Sequence, residues 1–306
     1  MQIYTMMKSI AAHILFLKNT SRNQGGNNMI DIIDLTKKFG SFTAVDNLSL
    51  HIDNGEFVGL LGPNGAGKTT TIKILTGLLK ATNGEVFISG EPMNSNNKNA
   101  KSKMGIVPQY SNLDKELTVY ENLVFASKLF RVKNYDEKIH ELLDLVDLTE
   151  YADRKVLSLS GGMDRRLIIA KALINDPEII IFDEPTVGID LNGRRKIWDI
   201  LKYMKSVGKT VIMTTHYIEE AEYLCSRVCL IDSGKIIVDD TAKNLKEKLG
   251  SYILEYFDEN MLTRYVFFQT RAQALEHAKT IENYSYTVRE TTLEDVFFNY
   301  TNRKVT

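Results

Sequence analysis

Apolar residues near the start of the chain come in short runs that end at turn residues. The runs Ile30–Leu35, Ala44–Ile52 and Glu56–Leu61 therefore predict strands, and Gly84–Ser89 predicts another. Between residues 118 and 172 the spacing changes, because apolar positions recur every three or four residues. This second spacing predicts amphipathic helices.

Strands return in the second half of the chain, where they alternate with a helix. Ile179–Phe182, Thr210–Thr214 and Val228–Ile231 are predicted strands, and the predicted helix Gly193–Ser206 lies between the first two. Alternation of this kind is typical of a mainly parallel sheet that is covered by helices. We therefore expect an α/β fold.

The chain divides into three parts. Residues 29–240 are expected to form one domain, with a helical part from about 111 to 172, and residues 241–306 a small extension of mixed helix and strand. Residues 1–28 carry basic but no acidic side chains, and their short apolar run lacks the cleavage site of a secretory signal. We interpret residues 1–28 as a disordered extension or as a mis-assigned start, with Met29 as the natural first residue.

Composition places limits on function. The chain has 306 residues, of which 43% are hydrophobic and 25% are charged, as in ordinary globular domains. Its formal net charge is −1, so there is no general basic field and no nucleic acid is expected as a partner. The two cysteines, Cys225 and Cys229, are too few for a zinc cage and are predicted to be buried thiols. No stretch approaches the roughly twenty apolar residues that span a bilayer.

The first candidate for chemistry is a glycine-rich stretch with the spacing G-x-x-x-x-G-K-T. It follows the predicted strand Phe57–Leu61 and precedes the predicted helix Thr70–Leu79. Glycines allow a tight turn whose N–H groups point at an anion, while the lysine reaches the β- and γ-phosphates and the threonine hydroxyl binds Mg²⁺. The stretch therefore predicts a nucleoside triphosphate site made by Gly62, Pro63, Asn64, Gly65, Ala66, Gly67, Lys68, Thr69 and Thr70.

Two carboxylates, Asp183 and Glu184, directly follow the apolar run Ile179–Phe182. Four large apolar residues predict a strand that is buried on both faces, and ligands of open α/β sheets bind at the carboxyl ends of such strands. We predict that Asp183 holds Mg²⁺ and that Glu184 polarises an attacking water. The alternative is a pair of solvated acids at the end of a strand.

A third feature is the sequence Ser160-Gly161-Gly162, which precedes a helical segment from Arg165 to Leu173. Ser160 is suited to cap that helix, and the two glycines leave backbone N–H groups open to a second phosphate. Taken alone, such a sequence is more often an ordinary turn.

Together these motifs resemble those of the ATPase subunits of ABC transporters, from about Ile30 to Ile237. Residues 62–69 match the Walker A motif, residues 159–163 the family signature, and residues 179–184 the Walker B motif with its catalytic glutamate. The resemblance implies a P-loop NTPase (RecA-like) core with a mainly parallel sheet, an N-terminal antiparallel β subdomain and an inserted α-helical subdomain.

The resemblance also implies roles for single residues. Gln109 is similar to the Q-loop glutamine, which contacts Mg²⁺ and water, so the implied metal site comprises Thr69, Gln109 and Asp183. His216 resembles the switch histidine that touches the γ-phosphate, and Asp190 lies in a segment that is similar to the D-loop. Phe39 occupies the place of the aromatic residue that stacks on adenine, and the alternative for it is a core position.

The family mechanism implies two subunits that face each other head to tail. Each ATP would lie between Lys68 of one subunit and Ser160, Gly161 and Gly162 of the other, with Mg²⁺ as a second cofactor. Glu184, His216 and Lys68 are the implied catalytic residues. The implied partners are a second copy or a paralogue and a multi-spanning permease, which would hold the protein at the cytoplasmic face of the cell membrane.

Several sequences are similar to those of the drug- and antibiotic-export branch. They include Met163 at the end of the signature, the following Arg165-Arg166-Leu167, and Thr292–Phe297 near the end of the chain. We therefore expect an exporter. An importer ATPase would use the same catalytic residues, and a soluble ABC ATPase that acts on ribosomes or DNA is a further alternative. The sequence does not predict the transported substance.

Overall fold

The computed structural model describes residues 28–281 and 285–301. The predicted extension over residues 1–28 lies outside the described residues except for its last position. In chain order the strands are β1 (Asn28–Phe39), β2 (Phe42–Asp53), β3 (Phe57–Leu61), β4 (Asn83–Ile88), β5 (Glu91–Pro92), β6 (Met104–Val107), β7 (Ile179–Asp183), β8 (Thr210–Thr215), β9 (Arg227–Asp232), β10 (Lys235–Asp240), β11 (Tyr252–Phe257), β12 (Thr263–Phe268) and β13 (Tyr286–Glu290).

Helices separate many of these strands. In chain order they are α1 (Lys68–Leu75), α2 (Lys98–Ser102), α3 (Val119–Phe130), α4 (Tyr135–Leu145), α5 (Gly161–Ala172), α6 (Leu191–Ser206), α7 (Ile218–Leu224), α8 (Ala242–Leu249), α9 (Arg271–Ala278) and α10 (Leu293–Thr301). Short 3₁₀ turns at Thr149–Tyr151 and Val156–Ser158 connect α4 to α5.

The central sheet has six strands in the order β10-β9-β3-β8-β7-β6. All neighbouring pairs from β9 to β6 are parallel, and β10 adds one antiparallel edge. Every residue of β3, β7 and β8 is buried, because apolar layers cover both faces of the sheet. The predicted α/β fold with a mainly parallel sheet is therefore confirmed.

Two smaller antiparallel sheets flank the central one. The N-terminal sheet has the order β2-β1-β4-β5, as expected for the antiparallel β subdomain. The C-terminal sheet has the order β12-β11-β13. Leu245 of α8 and Phe297 of α10 share an apolar cluster with Leu61, Val228 and Leu230 of the central sheet, so the C-terminal extension covers one side of the core.

The helical region between β6 and β7 contains α3, α4 and α5, in agreement with the spacing of its apolar residues. Thr118 and Glu121 form a reciprocal capping box that starts α3. One local expectation was wrong, and one strand was not predicted. The helix after the glycine-rich loop ends at Leu75 rather than Leu79, since Gly77 has a φ of +68° and ends the helical path. The strand β10 was not predicted, because its half-exposed edge position gives it no continuous apolar run.

Within residues 28–281 and 285–301, none of the helices combines the length and the apolar character that crossing a membrane requires.

Gly105 allows the end of α5 to approach β6, the strand that leads to Gln109. A Cβ atom at this position would lie 2.3 Å from the carbonyl oxygen of Ala172. We expect Gly105→Ala to lower the free energy of unfolding by about 1–3 kcal/mol, as overpacking of a core does, measured by urea denaturation. Adding Pro177→Ala should not restore stability, because the obstructing atom belongs to the backbone. An unchanged free energy of unfolding would contradict this account of the packing.

Candidate nucleotide site

The glycine-rich loop connects the end of β3 to the start of α1. Gly65 and Gly67 have φ angles of +81° and +106°, which residues with a Cβ atom rarely adopt. A Cβ atom on Gly67 would also lie 2.5 Å from the carbonyl oxygen of Ala44. No side chain caps α1, so its first N–H groups are available to an anion. Between the glycines, Pro63 and Ala66 close a turn through a hydrogen bond of 3.2 Å, while Asn64 is exposed.

The side chain of Lys68 folds back against the glycine-rich loop that precedes it. Its ammonium donates to the carbonyl oxygens of Gly62 at 2.8 Å and Pro63 at 3.1 Å, and its side chain is 4% exposed. Burial lowers the pKa of Lys68, while the carboxylates of Glu184 and Asp183 raise it. The buried cation is therefore directed toward the space that the loop encloses. Thr70 lies half-buried in the first turn of α1.

Asp183 ends β7 and faces two threonine hydroxyls. Thr214 of β8 donates to Oδ1 of Asp183 at 2.6 Å, and Thr69 of α1 donates to the same oxygen at 3.2 Å. The structure thus brings Thr69 and Asp183, two of the three predicted metal ligands, into direct contact. Gln109, the third, follows β6 and contacts Glu184, the residue after Asp183, rather than Asp183 itself.

Glu184 is the point on which the other predicted catalytic residues converge. Its Oε1 lies 3.6 Å from the Lys68 ammonium and 3.3 Å from Nδ1 of His216. Its Oε2 accepts a hydrogen bond of 3.2 Å from Nε2 of Gln109. Lys68, His216 and Gln109 follow β3, β8 and β6, three strands that are far apart in the sequence. Only 8% of the side chain is exposed, so the alternative of a solvated acid is wrong.

The backbone of Glu184 is also constrained. Its φ of +49° lies in the left-handed region, which costs a residue with a Cβ atom of the order of 1–3 kcal/mol. Its N–H donates to both the carbonyl oxygen and the hydroxyl of Thr214, at 3.2 and 3.0 Å. These contacts therefore fix the backbone of Glu184 and so the orientation of its side chain at the end of β7.

The signature segment starts α5 and packs on the segment that contains Asp190. Ser160 accepts a hydrogen bond of 3.3 Å from the N–H of Met163 and so caps the helix as predicted. A Cβ atom on Gly161 or Gly162 would lie at ordinary contact distance from the side chain of Ile189. Asp190 caps α6 through the N–H groups of Asn192 and Gly193, both at 3.0 Å, and these bonds lower the pKa of Asp190. Within the described residues, no hydrogen bond joins Ser160 or Asp190 to the Glu184 cluster.

Phe39 lies at the tip of the β1–β2 hairpin, and its side chain is 50% exposed. The alternative of a core position is therefore wrong. The Lys37 ammonium lies 5.0 Å from the centre of its ring. The same hairpin contacts the glycine-rich loop, where Ala44 lies against Gly67. An exposed ring on a hairpin that contacts the glycine-rich loop is compatible with stacking on a base.

Three residues near the cluster were missed in the sequence. Thr214 orients both Asp183 and Glu184, and Arg165 binds the backbone around them. The buried carboxylate of Glu220 accepts hydrogen bonds from Thr186, from Trp198 at 3.2 Å and from Thr215 at 2.8 Å. Their positions in the sequence carry no separate signal, because their partners are distant backbone and side-chain groups.

The site suits a nucleoside triphosphate. Uncapped helix N–H groups, a buried ammonium and glycines in the left-handed region together make a cradle for phosphates. The neighbouring hydroxyl of Thr69 and carboxylate of Asp183 are hard oxygen donors.

Comparison with known proteins agrees with this chemistry. The family model described as "ABC transporter" matches residues 45–187. The Nod factor export ATP-binding protein I of Cupriavidus metallidurans is 38% identical over 300 residues, which cover 90% of this chain and 98% of that protein. The chain belongs to the ABC transporter family. A protein of the same name in Rhizobium sp. (strain N33) is 42% identical over 234 residues, covering 76% of this chain and 77% of that protein.

Solved structures of ATP-binding cassettes share the fold. A dimeric structure of the cassette MJ0796 in a post-hydrolysis state, bound to ADP and Pi, has a TM-score of 0.63 at 33% identity and covers 70% of this chain and 98% of that chain. The ADP conformation of the cassette MJ1267 has a TM-score of 0.65 at 26% identity and covers 71% and 92% of the two chains. The predicted P-loop NTPase fold and the predicted ATPase activity of this ABC protein are confirmed.

Thr214→Val removes a hydroxyl from the site at nearly constant volume. We expect turnover of ATP to fall about 10–100-fold, because Asp183 and Glu184 both lose an orienting contact. Thr210→Val is the matched control, since Thr210 is buried on the same strand and contacts Asn54 and Gly55 instead. The control should turn over ATP at close to the wild-type rate in a steady-state phosphate-release assay. Equal losses in the two variants would exclude a specific role for Thr214.

Proposed function

We propose that this protein is the ATP-hydrolysing subunit of an ABC exporter, which works as a dimer at the cytoplasmic face of the cell membrane and drives a separately encoded permease. The convergence of Lys68, Gln109 and His216 on the carboxylate of Glu184 carries the proposal. The direction of transport is supported by relatives that are named as export ATP-binding proteins.

Hydrolysis needs a base next to the terminal phosphate. Once ATP lies in the loop, its phosphate oxygens replace Glu184 as the partner of the Lys68 ammonium. Glu184 is then free to accept a hydrogen bond from the attacking water, with Gln109 and His216 on either side of it. General-base help of this kind contributes about 10²–10⁴ in rate, and most of the remainder is positioning and charge stabilisation.

Mg²⁺ is the cofactor that the donor set fits. Thr69, Asp183 and Gln109 offer hydroxyl, carboxylate and amide oxygens, which together with phosphate oxygens are ligands that Mg²⁺ accepts. Bound there, Mg²⁺ supplies charge neutralisation at the transferring phosphoryl group. The hydrogen bond from Thr214 holds the Asp183 carboxylate toward that position.

A second copy or a paralogue would complete each site. Ser160 and Gly161 are exposed at the start of α5, and Asp190 is exposed close to them. We propose that these groups contact the ATP bound by the facing subunit, with the N–H groups of the signature directed at its phosphates. Phe39 would stack on the adenine within its own subunit. The dimeric arrangement of the MJ0796 cassette supports such a pairing.

The permease would dock on the helical region that follows Gln109. Tyr110 is next to Gln109 and is 80% exposed. On α3, Phe125 and Leu129 lie on one face of the helix and are 64% and 69% exposed. A cluster of large apolar side chains that are exposed to water favours a protein partner at this surface.

Glu184→Gln separates binding from hydrolysis. We expect the variant to bind ATP as the wild type does, to lose about 10²-fold or more in turnover, and to accumulate an ATP-bound dimer in size-exclusion chromatography. Lys68→Ala is the contrasting variant and should lose both ATP affinity and turnover, since it removes a phosphate ligand. A Glu184→Gln protein that retained most of its hydrolysis would remove Glu184 from the role of the base.

The membrane partner can be tested with a tagged full-length chain isolated from detergent-solubilised membranes. We expect a multi-spanning protein to co-purify, and the double variant Phe125→Ser/Leu129→Ser to lose it while keeping ATP turnover. Leu275→Ser, an exposed leucine on α9, is the matched control and should retain the partner. Recovery of ribosomes in place of a membrane protein would favour the soluble ABC alternative and overturn the proposal.

A further inference from the structure

Arg165 lies in the first turns of α5, five residues after the capping Ser160, and its side chain is turned into the protein. Only 5% of the residue is exposed. Burying a guanidinium is costly unless its N–H groups find acceptors, so its surroundings need a specific explanation.

The guanidinium of Arg165 donates to four backbone carbonyl oxygens on two segments of the catalytic cluster, residues 183–185 and Pro108. Its Nε donates to the carbonyl oxygen of Pro185 at 2.7 Å. Its Nη2 donates to the carbonyl oxygens of Asp183 at 3.0 Å and Glu184 at 3.2 Å. Its Nη1 donates to the carbonyl oxygen of Pro108, the residue before Gln109. One side chain thus holds the backbone on both sides of the Gln109–Glu184 contact.

The chemistry of this contact is specific to arginine. A planar guanidinium presents five donors in fixed directions, whereas an ammonium is a compact point charge with three donors, too few for four carbonyl oxygens on two segments. Burial lowers the pKa of Arg165 to about 10, against the raising effect of Asp183, Asp164 and Glu220, so the group is still a cation at neutral pH.

We propose that Arg165 is a positioning residue that fixes Glu184 and Gln109 for hydrolysis and joins them rigidly to the signature segment of the same subunit. This inference rests on the proposed function. Because α5 begins at the signature, its start would move when the nucleotide of the facing subunit binds or leaves. Arg165 would transmit that movement to Glu184 of its own subunit. The two ATP sites of a dimer would then be coupled through this side chain.

Arg166, the next residue, provides a matched control on the same helix. It is also buried, and its guanidinium donates to the carbonyl oxygens of Val146 and Asp147 and to the Asp147 carboxylate, at the end of α4. A loss at Arg166 therefore removes a similar number of buried hydrogen bonds without touching the catalytic segments.

The test compares Arg165→Gln, Arg165→Lys and Arg166→Gln in the full-length chain. Steady-state phosphate release gives kcat, KM and the Hill coefficient, ATP binding is measured by calorimetry, and thermal unfolding monitors folding. We expect Arg165→Gln to lower kcat about 10²-fold, as a displaced catalytic group does, with nearly unchanged ATP affinity and a Hill coefficient that falls to that of independent sites. Arg165→Lys should recover part of the kcat, and Arg166→Gln should keep the wild-type kcat at a lowered melting temperature.

Equal kcat losses in Arg165→Gln and Arg166→Gln would overturn the inference, as would a loss of ATP affinity with unchanged kcat. Should Arg165→Gln fail to fold, Arg165→Lys decides, since a kcat equal to that of the wild type would also overturn it. The wild-type chain and Glu184→Gln are run in parallel. Absent wild-type hydrolysis, or an active Glu184→Gln, would refute the proposed function itself, whereas an inert Glu184→Gln with a fully active Arg165→Gln would refute only the role of Arg165.

Discussion

The contact of the buried Glu184 carboxylate with Lys68, Gln109 and His216 is the interaction on which the site depends. A carboxylate with so little exposure would destabilise the fold by several kcal/mol if it had no partners. Its three partners follow three different strands, so satisfying the charge requires those strands to be adjacent and in register. Pairing of the buried Glu184 carboxylate therefore requires the ends of β3, β6, β7 and β8 to lie close together.

The parallel sheet explains why these groups meet. Neighbouring strands that run in the same direction place their carboxyl ends at one edge, and the glycine-rich loop, Glu184 and His216 all follow such ends. The apolar layers on both faces then bury the strands completely. Packing against small residues completes the arrangement, as where Gly105 admits the end of α5. The core is thus the support that holds the predicted catalytic groups at hydrogen-bonding distance.

The structure also separates two kinds of groups that the family mechanism uses. Lys68, Asp183 and Glu184 are buried at one centre, whereas Ser160 and Asp190 are exposed and serve to cap α5 and α6. The exposed starts of α5 and α6 are accessible to a second protein molecule, whereas the buried side chains around Glu184 are not. Arg165 spans the two regions, because it lies on the helix that Ser160 begins and binds the backbone on which Glu184 lies.

Local patterns in the sequence were sufficient to predict the phosphate loop, the strand that leads to Asp183 and Glu184, and the mainly parallel sheet. These features depend on neighbours in the chain: glycines that permit a turn, a lysine at fixed spacing, and apolar runs that require burial. The roles of Gln109 and His216 came from resemblance rather than from periodicity. The strand β10 could not be predicted, because its half-exposed edge position leaves no continuous apolar run. The contacts of Thr214 and the buried guanidinium of Arg165 could not be predicted either, because they involve groups that are distant in sequence. The sequence by itself therefore determined which chemistry the chain carries, and the tertiary structure decided which backbone and side-chain groups hold that chemistry in place, since only folding brings the strand ends together.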